Sequence, residues 1–197
     1  MKSFSKIFKT LISPETTVQS IISAALAAAM VMLVPLLAMQ FSDEVTWTPS
    51  DFAVAWTVLF SAGLTYSLVA RKMGNIRYRA AVAFSVGTGL FLFWSNLAVG
   101  LIGSENNDAN MMYLGVLSVA IIGALLVRFQ PKGMVITLAA TAAAQALVTV
   151  IALIAGLQHL PESSVPEILT VNWFFIVLWI VSAILFRNAR EQVVQKG

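Results

Sequence analysis

Cysteine is absent from this chain and histidine occurs once, at His159, so disulfides, thiol chemistry and thiolate metal sites are all excluded. Charge is nearly as scarce. Asp, Glu, Lys and Arg make up only 11% of the 197 residues, well below the share found in a soluble domain. That charge is also confined: six apolar runs contain no Lys, Arg, Asp, Glu or His between their ends. A proton pump or ion-coupled transporter ordinarily places a carboxylate inside the membrane, and none stands within a run. With no thiol, no zinc-ligand set and its one histidine between runs, the chain is expected not to be an enzyme and to need no cofactor.

What is present is hydrophobicity, 59% of the residues, with a mean hydropathy of +0.87. Each run approaches or exceeds the roughly 20 residues that carry a helix across about 30 Å of hydrocarbon. They cover about 17–40, 52–70, 80–102, 110–127, 134–157 and 168–186. The expected fold is therefore all-α, a polytopic membrane bundle of six transmembrane helices forming a single integral membrane domain over residues 1–197.

The connections between runs sort by sign. Lys2, Lys6 and Lys9 precede the first run; Arg71, Lys72, Arg77 and Arg79 join the second to the third; Arg128 and Lys132 join the fourth to the fifth; Arg187, Arg190 and Lys196 follow the sixth. The alternate connections carry Asp43, Glu44 and Asp51, then Glu105 and Asp108, then Glu162 and Glu167 with His159. Cytoplasmic loops retain Lys and Arg, so both termini are expected in the cytoplasm and the acidic face outside. The net charge of +3 is thus a topology signal, and no nucleic-acid partner is implied by it.

Helix ends are marked locally. Thr48-Pro49-Ser50-Asp51 has a capping hydroxyl, a proline at the first helical position and a carboxylate three residues on, the pattern of a capping box. Ser13-Pro14-Glu15 and Ser164-Val165-Pro166-Glu167 are variants of it. Upstream, Phe4, Ile7, Phe8, Leu11 and Ile12 fall at helical spacing with the lysines off that face, which predicts a short amphipathic interfacial helix over 1–12 against the lipid surface. Trp47 and Tyr113 are expected as anchors at the outer interface and Tyr78 at the inner one.

Inside the runs, polar residues form stripes. Thr137, Thr141, Gln145 and Thr149 recur every four residues in the fifth run, and Thr57, Ser61 and Thr65 make a shorter stripe in the second. Asn96 stands near the outer end of the third, beside Trp94 and Ser95. An amide in hydrocarbon must find partners, so Asn96 and Gln145 are expected to face protein or water. Asn96, Gln145, Thr141, Thr149 and Trp94 are the candidates for a solute path or pocket; interhelical hydrogen bonding is the plainer use of the same groups. Small residues beside them, Ala24, Ala25, Ala28, Ala29, Gly87, Gly89, Gly115, Gly123, Ala139, Ala140, Ala143 and Ala144, permit close helix approach within the chain or with a partner. The densest polar connection, Gly103 to Asn110, offers Glu105, Asn106, Asp108 and Asn110 to a hard cation, although its spacing is not that of an EF-hand and a capped hairpin would use the same residues.

The run from Trp94 through Asn96, Ala98, Val99, Gly100, Ile102, Gly103 and Glu105 to Asn106, with Asn110, Tyr113, Phe41 to Val45, Asp51 and Phe52, resembles a group of bacterial inner-membrane proteins of uncharacterised activity. The resemblance spans most of the chain, implies a bacterial inner (cytoplasmic) membrane but no substrate or cofactor, and directs attention to the outer surface. In size, span number and Ala-rich first helix the chain also looks similar to the substrate-binding subunits of energy-coupling-factor transporters. Two functions are therefore expected: a passive channel or solute-binding transport component with an acidic outer mouth, or a non-catalytic subunit, homo-oligomeric or bound to another membrane protein through small-residue faces.

Overall fold

The computed structural model describes residues 17–41, 46–70, 75–104 and 106–194. The proposed interfacial helix over 1–12, the Ser13 cap and Glu105 lie outside the described residues. Among the described residues, six helices are long and apolar enough to cross a membrane, and no strand is present. They are α1 (Thr17–Phe41), α2 (Pro49–Ala70), α3 (Ile76–Ala98), α4 (Met112–Leu126, long enough together with the 3₁₀ turn Asp108–Met111 before it), α5 (Pro131–Ile154) and α6 (Val165–Val194). The chain divides into two compact units at residue 72, a boundary that hydropathy alone does not mark.

The first unit is a hairpin of α1 and α2. Ser20, Ala24, Ala28 and Met32 are its buried positions on α1, one row at four-residue spacing. The row is narrow because its residues are small: a methyl group added at Gly63 of α2 would stand 3.4 Å from the Ala24 Cβ, so the two backbones approach closely there. The rest of α1, including Leu26, Met30 and Val34, is exposed apolar surface. At the start of α2 the capping box forms as the sequence suggests. The Thr48 backbone N–H donates to Asp51 Oδ2 at 2.7 Å, and the Asp51 N–H donates back to Thr48 Oγ1 at 3.4 Å.

The second unit packs α3, α4, α5 and α6 in a ring, each helix against its sequence neighbour and α6 against α3. Its two ends are distinct. At one, Gly103 of the α3–α4 connection approaches the carbonyl of Pro161 in the α5–α6 connection. At the other, the Tyr78 hydroxyl of α3 donates to the Phe129 carbonyl in the α4–α5 turn at 2.9 Å, and its ring meets Phe186 of α6 edge to face. Arg128 and Phe129 both take left-handed φ, 51° and 58°, a conformation disfavoured for side chains of this bulk, and the tyrosine bond fixes the strained carbonyl. Tyr78 is thus a buried fastening of this turn and is not the interfacial anchor expected of it.

Helix ends depart from the apolar runs in instructive ways. α3 begins at Ile76, where Asn75 accepts from the Arg77 N–H, so Arg77 and Arg79 lie within the helix. It ends at Ala98, and the expected extension to residue 102 is not helical. Gly100 and Gly103 take φ of +69° and +65°, which turns the chain back. The amides freed from the helix ladder are met by Asn110, whose Oδ1 accepts from the N–H groups of Leu101 and Ile102 at 2.9 and 3.0 Å. Leu101 and Ile102 are consequently buried in a connection. α6 continues beyond Phe186, carrying Arg187 and Arg190 on exposed positions.

Candidate functional site

Polar side chains converge at one place in the four-helix unit. Gln145 of α5 donates through Nε2 to Asn172 Oδ1 at 2.8 Å. Asn172, on α6, donates through Nδ2 to the Ile168 carbonyl at 2.9 Å and to the Tyr113 hydroxyl at 3.1 Å. That hydroxyl, on α4, donates in turn to Asn172 Oδ1 at 3.2 Å. All three side chains are 0% exposed. Both amide hydrogens and both oxygen lone pairs of Asn172 are therefore used, which fixes the amide orientation. The cluster joins α4 to α6 across the ring, two helices that are not sequence neighbours.

Its depth follows from helical rise. Asn172 lies seven residues into α6 and Gln145 nine residues before the end of α5, which at about 1.5 Å per residue places the cluster roughly 10–14 Å below the connections at that end. Three residues before Tyr113, in the 3₁₀ turn Asp108–Met111 that leads into α4, stands Asn110. Asn110 Nδ2 donates to the Ser104 carbonyl at 2.8 Å and to that of Ile102 at 3.4 Å, so this second amide clamps the connection over the cluster.

The stripe on α5 faces the interior: Thr137, Thr141, Gln145 and Thr149 are all buried. Two of its hydroxyls are used within the helix, Thr141 donating to the Thr137 carbonyl at 2.9 Å and Thr149 to that of Gln145 at 3.1 Å. Close packing accompanies it. A Cβ on Gly123 of α4 would fall 2.5 Å from Thr137 Cγ2, and Gly89 of α3 lies against the indole of Trp179, itself buried on α6. Gly87 and Gly115 meet nothing.

The remaining candidates separate. Asn96 is 8% exposed, near the end of α3, and its Oδ1 is buried without a hydrogen-bond partner. Trp94 is half-buried on the same helix. In the α3–α4 connection Asn106 and Asp108 are exposed, while the Asn110 oxygen is turned inward to two backbone amides, so these residues do not present their oxygens to one point. Asn107 caps the short 3₁₀ turn Asp108–Met111 by accepting from the Ala109 N–H at 2.9 Å. No group of three or more His, Asp or Glu is placed to hold a metal among the described residues, Glu105 standing outside them.

Sequence reasoning missed two of the three cluster residues. Asn172 is embedded in an apolar run with no stripe around it, and Tyr113 was expected at the interface, whereas it is buried with its hydroxyl bonded. The signal for Asn172 was available: an amide inside a span needs a partner wherever it stands. Comparisons with protein-family models, with curated proteins and with solved structures find no match.

Proposed function

We propose that this chain is a non-catalytic subunit of a bacterial inner-membrane assembly, with both termini in the cytoplasm and the α3–α4 and α5–α6 connections outside. One observation carries the reading. The outward face of α5 is built of small side chains, with Ala139, Ala140 and Ala143 exposed between Ile136 and Leu147. Small residues facing outward let a second helix approach closely, whereas a face meant only for lipid gains nothing from them. The polar stripe of the same helix is meanwhile buried within its own unit, which leaves the alanine face for association. The sign asymmetry of the connections supports the orientation.

The absence of cysteine makes the test clean. Single cysteines at Ala140 or Ala143 are expected to cross-link, to a second copy or to another membrane protein, in native membranes, and Ala143→Leu is expected to dissociate the complex in mild detergent. A monodisperse monomer in which Ala143→Leu changes nothing would overturn the reading. A cysteine at Glu162 should react with an impermeant maleimide from outside the cell and one at Arg128 should not.

A second reading, a solute-binding transport component or passive channel, is favoured by Gln145 Oε1 and Asn96 Oδ1, two buried acceptors with no partner. It predicts that Gln145→Met abolishes a measurable solute flux in proteoliposomes while leaving cross-linking at Ala140 intact.

A further inference from the structure

We infer that Gln145 Oε1 binds a single internal water molecule, completing the Tyr113–Asn172–Gln145 cluster. The orientation of the Gln145 amide is set by its bond to Asn172: reversing it would bring two carbonyl oxygens together at 2.8 Å. Oε1 therefore points away from Asn172, and it is buried with no partner. The cluster has no donor to spare for it. The one hydroxyl hydrogen of Tyr113 goes to Asn172 Oδ1, and the two Asn172 Nδ2 hydrogens go to Ile168 and Tyr113.

The chemistry of the occupant follows from its surroundings. It must donate a hydrogen bond, because an amide oxygen only accepts. It must be neutral, because none of the spans forming this unit carries a charged side chain at that depth to compensate an ion. It must be small, because Gln145, Thr141, Asn172 and Tyr113 are all fully buried. Thr141, one turn before Gln145 on the same buried stripe, is the group we assign as the second partner. Its hydroxyl hydrogen is engaged with Thr137, but its oxygen keeps lone pairs one turn from Gln145 on the same helix face. A water donating to Gln145 Oε1 and to Thr141 Oγ1 has the minimum of two polar partners that a buried site requires. Trp179 Nε1, a buried donor without a partner on α6, shows that open groups of both senses occur in this unit, and water satisfies either.

This inference stands apart from the assembly reading, since a water on Gln145 does not depend on what covers the alanine face. It is tested by determining the structure of the whole protein in lipid nanodiscs at a resolution that shows ordered waters. A compact peak at about 2.8 Å from Gln145 Oε1 is expected. In Gln145→Met the peak should be lost while Asn172 keeps its bonds to Tyr113 and Ile168. Featureless space at Oε1 in a map with waters elsewhere would overturn the inference, as would a peak that survives in Gln145→Met. Density too large for one water would overturn it too, and would favour the solute reading.

Discussion

In the α1–α2 hairpin the Ser23 and Thr57 hydroxyls bond to the backbone of their own helix, while in the four-helix unit Asn172 bonds to two other helices. Thr57 illustrates the first case: it is exposed, and its hydroxyl donates to the Ala53 carbonyl at 2.7 Å. Gln145, Asn172 and Tyr113 illustrate the second, fully buried and linking α4, α5 and α6. Both units are built from comparably apolar runs, so hydrophobicity cannot be what distinguishes them. In a bilayer it does not drive helices together, since lipid tails are as apolar as leucine; close contact and interhelical hydrogen bonds do. The hairpin uses close contact at Ala24 and Gly63, and the four-helix unit adds a shared amide. Polar deletion should therefore damage the second unit and steric insertion the first.

The largest effect is expected from Asn172→Leu. The substitution keeps the branched shape of the side chain, but it strips the Gln145 Nε2 and Tyr113 hydroxyl of their partner, and an unsatisfied buried group costs about 1–3 kcal/mol. A loss of about 3 kcal/mol in unfolding free energy, measured by denaturant titration in mixed micelles, is the expected outcome, because both orphaned groups sit where water is scarce. A change below about 0.5 kcal/mol would mean that the cluster contributes no more than an exposed helix polar group.

Ala24→Leu probes the other side of the comparison. With room for no more than a methyl group between Gly63 and Ala24, a leucine at position 24 parts the helices, and overpacking of this kind costs about 1–3 kcal/mol. The effect should be about 2 kcal/mol and should leave the fluorescence of buried Trp179 on α6 unchanged. Were Trp179 to respond as strongly as it does to Asn172→Leu, the separation between the two units would fail.

Tyr113→Phe is the milder polar deletion. Asn172 keeps Gln145 and Ile168 as partners and loses only the hydroxyl, so about 1 kcal/mol is expected from the same titration, in the range measured for interhelical hydrogen bonds in membranes. The pair also marks how far the sequence could be read. Six spans, the Thr48–Asp51 capping box and the inward stripe on α5 all follow from local pattern, because hydropathy, cap chemistry and four-residue spacing act within one helix. The stopping point of α3 was hidden because it depends on Asn110, twelve residues past the last helical position, taking up the amides that Gly100 and Gly103 release. Tyr113 was misplaced for a related reason. A tyrosine near a span end is as compatible with the interface as with the interior until the chain supplies a partner, and that partner, Asn172, lies 59 residues away. Long-range pairing of single polar residues leaves no periodic trace.

The smallest effect isolates the principle. Thr57→Val removes a hydroxyl from the middle of a span, as Tyr113→Phe removes one from the four-helix unit, yet it orphans nothing: the Ala53 carbonyl already belongs to the helix ladder and keeps its backbone partner. Valine matches threonine in shape, and position 57 faces outward. The unfolding free energy should stay within about 0.5 kcal/mol of the parent. A loss comparable to that of Tyr113→Phe would mean that the outward stripe of Thr57 and Ser61 is itself bonded to a second protein, and the proposed association surface would then lie on the hairpin instead of the alanine face of α5. Repeating the titration on Thr57→Val carrying Ala143→Leu separates these cases, because two changes at one interface couple whereas changes at distant sites add.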